Sequence, residues 1–199
     1  MNLPNKLSIL RIILIPIVMF FYLETFFPYG KIIALGIFLI AILTDTLDGY
    51  IARKYNLVTD LGKLLDTNAD KILILAGLLL IVCDGTIIAP FGVIIAVIII
   101  GRDMIISTFR QIAASKNFVM AADKLGKIKA IITDIAVLMF FLVAFFNDIS
   151  ITGVAFDVIN ITSYVLMGIA VLLTIISAVN YMVKNRSVLK EENKQDKEV

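Results

Sequence analysis

Histidine is absent from this 199-residue chain, cysteine occurs once, and charged residues make up only 17% of it. Without imidazole and with a single thiol, a zinc, copper or iron centre lacks its usual ligands. Cys83 alone can form neither an intramolecular disulfide nor a thiolate cluster, so it reads as a small apolar residue in a helix. The scarcity of charge, together with 60% hydrophobic residues and a mean hydropathy of +1.00, excludes a soluble domain, and the length excludes several domains. One helical membrane domain is expected over residues 1–183, followed by a charged, aperiodic tail over 184–199. There is no internal repeat, and no low-complexity segment outside that tail. A small-x-small cleavage site is also missing after the first apolar run. MNLPNKLSILR, with Pro4, Lys6 and Arg11, therefore reads as an uncleaved cytoplasmic amphipathic start to the first helix, which Pro16 is expected to kink.

What the chain does have is DTLDGYIARKYNLVTDLGKLLDTNAD, residues 45–70, with two tight aspartate pairs, Asp45/Asp48 and Asp66/Asp70. Residues three or four apart on a helix share a face, so each pair points two carboxylates the same way. Two unit charges about 4 Å apart near a protein surface interact by roughly 4 kcal/mol, so four converging carboxylates require cations or protonation. Hard oxygen donors without histidine or thiolate favour Mg²⁺ or Mn²⁺, commonly with a phosphate on the ion's other side. Gly49 and Ala52 lie on the helix face of Asp45, where small side chains let a ligand approach, and Arg53 can pair with a phosphate oxygen.

The apolar runs predict six transmembrane helices. The second is expected from about residue 31 to 53, which puts Asp48 and Asp45 about 8 to 12 Å inward from Arg53. Only 12 uncharged residues separate Lys71 from Asp84, too few to span, so the third helix must include Asp66 and Asp70. Such intramembrane acids must face a cavity rather than lipid. The remaining helices are expected near residues 87–109, 128–146 and 158–183. Of 18 basic residues only Lys31 falls in the segments that would lie outside, which places both termini in the cytoplasm. Lys116, Lys124 and Lys129 read as positive-inside anchors. Arg102 lies deeper, about 12 Å along its helix from Arg110, and needs an anionic partner such as Asp66 or a substrate phosphate, because Asp103 is expected to point elsewhere. Asp134, inside the fifth helix, matches no motif position.

Asp45, Asp48, Gly49, Ala52, Arg53, Gly62, Asp66 and Asp70 match the signature Asp-x2-Asp-Gly-x2-Ala-Arg-x8-Gly-x3-Asp-x3-Asp, so the chain resembles the CDP-alcohol phosphatidyltransferase family. The resemblance implies an integral membrane enzyme that moves a phosphatidyl group from CDP-diacylglycerol to an alcohol and releases CMP. It implies Mg²⁺ or Mn²⁺, two ions, held by Asp45, Asp48, Asp66 and Asp70, with Asp70 as the base for the acceptor hydroxyl. The site for the CDP-linked lipid would be lined by Gly49, Ala52, Arg53, Thr59 and Gly62. GRDMIISTFR, AADKLGKIK and NLPNKLSILR resemble the branch whose acceptor is glycerol 3-phosphate, and the resemblance assigns that phosphate to Arg102, Arg110 and Lys127. The chain departs from the branch at Thr67-Asn68, where Pro-Leu is usual, and at Asp103, where Glu is usual. The implied partners are both substrates, the lipid bilayer and a second copy of the chain, with no nucleic acid; the implied location is the cell membrane, with the site facing the cytoplasm. Within the family the alternatives are cardiolipin synthesis and inositol phosphate or serine transfer. Outside it, a divalent-cation transporter would need an acidic path to the outer face, for which only Asp134 is available.

Overall fold

Among the described residues the apolar runs fold as six helices: α1 (Leu3–Leu23), α2 (Gly30–Lys54), α3 (Asp60–Cys83), α4 (Ala89–Ser115), α5 (Lys124–Asp148) and α6 (Val154–Lys184). The computed structural model describes residues 3–26, 29–54, 60–115 and 124–184, with side chains over 6–26, 29–45, 62, 64–114 and 125–184; among them no strand forms. Lys184, the first residue of the expected tail 184–199, is the last of α6; residues 185–199 lie outside the described residues, as do Thr59 and Lys116. The helices run past the charged residues at which the sequence reading ended them. α4 continues to Ser115, α5 begins at Lys124 and α6 at Val154, because a helix crossing a bilayer can extend its charged turns into the headgroup region. α3 begins at Asp60, which puts Gly62 in its first turn. α1 continues through Pro16.

The burial pattern is inverted relative to a soluble bundle. Ser8, Arg11, Lys129, Thr133, Ser163, Thr174 and Ser177 are buried, whereas Phe20, Ile94, Val97, Val165, Leu172, Ile176 and Val183 are exposed. Water would penalise that surface; lipid does not, and there the inside of a bundle is marked by small and polar residues. α6 shows the rule most plainly. Its buried residues are Ser163, Met167, Ala170, Thr174, Ser177 and Tyr181, alternating four and three apart. The hydroxyls of Ser163, Thr174 and Thr133 donate to carbonyls one turn back, which satisfies them without a water. Among the described residues, four helices contain stretches long and apolar enough to cross a membrane: Lys6–Leu23, Ala89–Ala114, Leu125–Asp148 and Val154–Lys184.

α1 packs mainly on α2 and α3, and α5 on α6 and α2. At the centre lie Phe38, Phe140, Phe141, Leu73, Leu78 and Ile81. Gly77 permits this closeness: a Cβ there would meet Val137 Cγ1 at 2.8 Å and Phe38 Cε2 at 3.0 Å. One end of the bundle is closed by a polar knot. Lys31 Nζ sits 3.2 Å from Asp84 Oδ2 and 2.7 Å from Asp148 Oδ1, and the Tyr22 hydroxyl donates to Asp84 at 2.8 Å. The α3–α4 turn is held by Thr86 N–H donating to Asp84, with Gly85 at φ 78°, a conformation that glycine adopts without strain. The one basic residue expected in the outer segments is thus fully neutralised.

Candidate active site

The opposite end, where α2 finishes and α3 and α5 begin, gathers the acids. Asp45 on α2 and Asp66 on α3 are brought together by Arg11 of α1, whose side chain is wholly buried. Its Nη1 lies 2.6 Å from Asp45 Oδ1 and 3.3 Å from Asp66 Oδ1. The two carboxylates remain 39% and 44% exposed, so their outer oxygens are open to a ligand. Asp70, one turn along α3 and exposed, is within electrostatic reach of Asp45, Asp66 and Arg11, and also of Asp103 on α4. Asp134 of α5 is within reach of Asp70, Asp45 and Lys129. It therefore does not stand apart from the site, as its lack of a motif position suggested. The backbones of Asp48, Gly49, Ala52 and Arg53 belong to α2, but their side chains lie outside the described ones, as does that of Lys124.

The basic group adjoins the acids through Asp103. Its carboxylate takes Lys129 Nζ at 2.6 Å on one oxygen and Arg102 Nη1 at 3.0 Å on the other. Two expectations are corrected here. Asp103 does not point away from Arg102; the long guanidinium arm folds back along α4 to its sequence neighbour. Lys129 is not an exposed anchor but is 97% buried, because it lies in register with the buried stripe Thr133, Ala136, Val137 and Phe140. Arg102 Nη2 also donates to Ser177 Oγ at 2.9 Å, and Arg110 Nε to the Tyr181 hydroxyl at 3.1 Å. Arg110 and Lys127 are exposed, and Lys127 makes no ion pair among the described residues.

A hard divalent cation suits this set in kind: Asp45 and Asp66 come from different helices, share one positive centre and stay partly exposed. Among the described residues no three acidic side chains converge closely enough to hold an ion by themselves. Asp48 is the remaining member of the set.

The model of the family described as CDP-alcohol phosphatidyltransferase matches residues 1–181. The chain belongs to this family. It is similar to the CDP-diacylglycerol--glycerol-3-phosphate 3-phosphatidyltransferase of Bacillus subtilis (strain 168), at 36% identity over 203 residues covering 96% of this chain and 99% of the relative. The probable phosphatidylglycerophosphate synthase of Mycobacterium tuberculosis (strain ATCC 25618 / H37Rv) is 30% identical over 188 residues, 92% of this chain and 81% of that one. A cardiolipin synthase (CMP-forming) of Oryza sativa subsp. japonica is 39% identical over 140 residues, but these are 65% of this chain and 42% of the relative. Membership explains why the signature aspartates and the α4–α5 bases occupy one end of the bundle. It does not name Arg11, Lys129, Ser177 or Tyr181, which the sequence reading left without a role in the site.

Proposed function

We propose that this membrane enzyme transfers the phosphatidyl group of CDP-diacylglycerol to the hydroxyl of glycerol 3-phosphate, giving phosphatidylglycerophosphate and CMP. The observation that supports the reading is that one end of the bundle carries both the Arg11-bridged carboxylates of Asp45 and Asp66 and the Asp103-linked bases Arg102 and Lys129, with Asp70 in electrostatic reach of Asp66 and Asp103. One side of the site suits a diphosphate and the other a phosphate-bearing acceptor. The relatives that match this chain over nearly its whole length carry the corresponding names.

In this reading Asp45, Asp48, Asp66 and Asp70 would hold Mg²⁺ or Mn²⁺, two ions being the natural complement for four carboxylates. A bound divalent ion supplies Lewis acidity that draws charge off the phosphorus and steadies the departing CMP. Gly49, Ala52, Arg53, Thr59 and Gly62 line the CDP moiety. Arg102, Arg110 and Lys127 hold the acceptor phosphate and turn the hydroxyl toward the phosphorus. Asp70 takes the hydroxyl proton as the new oxygen–phosphorus bond forms, and the bond to CMP breaks with its electron pair leaving on the nucleotide. All six helices span the bilayer, with both termini and the site on the cytoplasmic side, and a second copy of the chain is the expected partner. Against the cation-transport alternative, Asp84 and Asp148 at the far end are paired with Lys31, and Asp84 also accepts from the Tyr22 hydroxyl.

The test is CMP release from CDP-diacylglycerol by purified protein, with glycerol 3-phosphate, glycerol, phosphatidylglycerol, inositol phosphate and serine as acceptors. Glycerol 3-phosphate should be preferred, and excess EDTA should abolish turnover. Arg110→Ala should raise the acceptor KM about tenfold, because a hydrogen bond between charged groups is worth about 1.5 to 3 kcal/mol and the lower end applies to the exposed Arg110. Preference for phosphatidylglycerol would move the assignment to cardiolipin synthesis, and full turnover in EDTA would remove the metal.

A further inference from the structure

The arginines assigned to the acceptor lie on α4, and nothing in the family signature reaches α6. Yet α6 holds both of them. Ser177 Oγ accepts from Arg102 Nη2 at 2.9 Å, and the Tyr181 hydroxyl accepts from Arg110 Nε at 3.1 Å. The Arg110 guanidinium carbon also lies 5.3 Å from the centre of the Tyr181 ring. Ser177 and Tyr181 are one turn apart on one face of α6 and are fully or almost fully buried, at 0% and 3% exposure. Arg102 and Arg110 are two turns apart on one face of α4. Ser177 is fixed in turn, because its own proton goes to the Thr174 carbonyl, leaving a lone pair for Arg102. A long arginine in a headgroup region has many rotamers, and a phosphate pocket needs two of them held in register.

We propose that Ser177 and Tyr181 are positioning residues for the acceptor: α6 aims Arg102 and Arg110 at one anionic group, so that glycerol 3-phosphate meets a preformed pair of guanidinium forks. This rests on the acceptor-phosphate reading of those arginines. The side chains of α6 orient the bases and need not touch substrate, so the effect should fall on acceptor affinity while the CDP-diacylglycerol KM stays put.

The experiment is a double-mutant cycle on full-length, detergent-purified enzyme, with glycerol 3-phosphate and CDP-diacylglycerol titrated separately and thermal stability recorded for each variant. Tyr181→Phe keeps the ring and removes only the hydroxyl. It should raise the acceptor KM about tenfold, the scale of a lost hydrogen bond to a charged group. The CDP-diacylglycerol KM should be unchanged, and Ser177→Ala should act likewise through Arg102. In the Arg110→Ala background Tyr181→Phe should have no further effect on acceptor KM, because the group it aims is gone. If Arg110→Ala raises the acceptor KM while Tyr181→Phe and Ser177→Ala do not, the positioning role is overturned and the pocket survives. If Tyr181→Phe costs the same with and without Arg110, the hydroxyl is merely structural and the proposal fails. If Arg110→Ala itself leaves acceptor KM unchanged, the pocket reading fails first.

Discussion

Replacing Arg11 with Met tests whether the acidic end of the bundle is held together by this buried cation. Arg11 Nη1 contacts Asp45 at 2.6 Å and Asp66 at 3.3 Å from a side chain with no solvent exposure. Met fills a similar volume but leaves two carboxylates facing each other across α2 and α3. Breaking a buried ion pair from one side typically costs about 3 to 5 kcal/mol, and here the lower end applies, because water still reaches both aspartates. For a chain of this size each kcal/mol lowers the melting temperature by about 2 to 4 °C, so a loss of about 6 to 12 °C is expected in EDTA. Millimolar Mg²⁺ should recover more of this in Arg11→Met than in the wild type, because a cation binding between uncompensated carboxylates stabilises the fold in proportion to its occupancy. Arg11→Lys, with charge but no fork, should fall between the two. Arg11→Met/Asp45→Asn/Asp66→Asn should regain much of the stability while remaining inactive, since removing every member of a buried charge set is often nearly neutral. The assay is thermal unfolding in detergent, with Mg²⁺ titrated. Equal melting temperatures for wild type and Arg11→Met in EDTA, or a gap that Mg²⁺ leaves untouched, would refute the bridging role.

Asp70→Asn keeps the shape of the site and removes its basicity, so turnover should fall by about 10² to 10⁴ while CDP-nucleotide binding, measured by calorimetry, changes far less; near wild-type turnover would take the base role from Asp70. Gly77→Ala should destabilise by about 1 to 3 kcal/mol, because its new methyl meets Val137 and Phe38 where three helices touch, and a melting temperature equal to wild type would show that the core yields there. Tyr22→Phe should cost only about 0.5 to 1.5 kcal/mol and leave kcat and both KM values unchanged, since Asp84 keeps Lys31 and the Thr86 amide; a loss of turnover would tie the two ends of the bundle together.

Much of the site was legible because its chemistry is local in sequence. Asp45 to Asp70 lies on two consecutive helices, so spacing alone brings the two pairs to one end, and the shortness of the apolar run after Lys71 forced the acids into α3. The expected gap between the fifth and sixth helices, 146–158, also contains the observed break between Asp148 and Val154. What spacing could not supply was the partner of a charge from a distant helix. Arg11 meets Asp45 and Asp66 across 34 and 55 positions, and Arg102 meets Ser177 across 75. Nothing periodic in either segment encodes the other.

A different reading of periodicity would nevertheless have found the candidates. In a helix that is apolar all round, hydrophobic spacing carries no facing information, because lipid and core accept the same side chains. The informative residues are the polar and small ones. Ser8, Arg11, Ile15, Val18 and Tyr22 recur three and four apart along α1 and are all buried. Ser163, Thr174, Ser177 and Tyr181 mark the buried face of α6 in the same way. Lys127 and Lys129 make the sharpest case. They are two residues apart and thus about 200° apart around α5, and only Lys129 shares a face with Thr133, four positions on. Lys129 is buried on Asp103, and Lys127 is exposed. Treating Lys129 as a headgroup anchor applied a rule about loops to a residue already inside a helix. Once polar spacing is used in place of apolar spacing, Arg11, Lys129, Ser177 and Tyr181 all register as inward-facing from the sequence alone, and only their pairing awaits the fold.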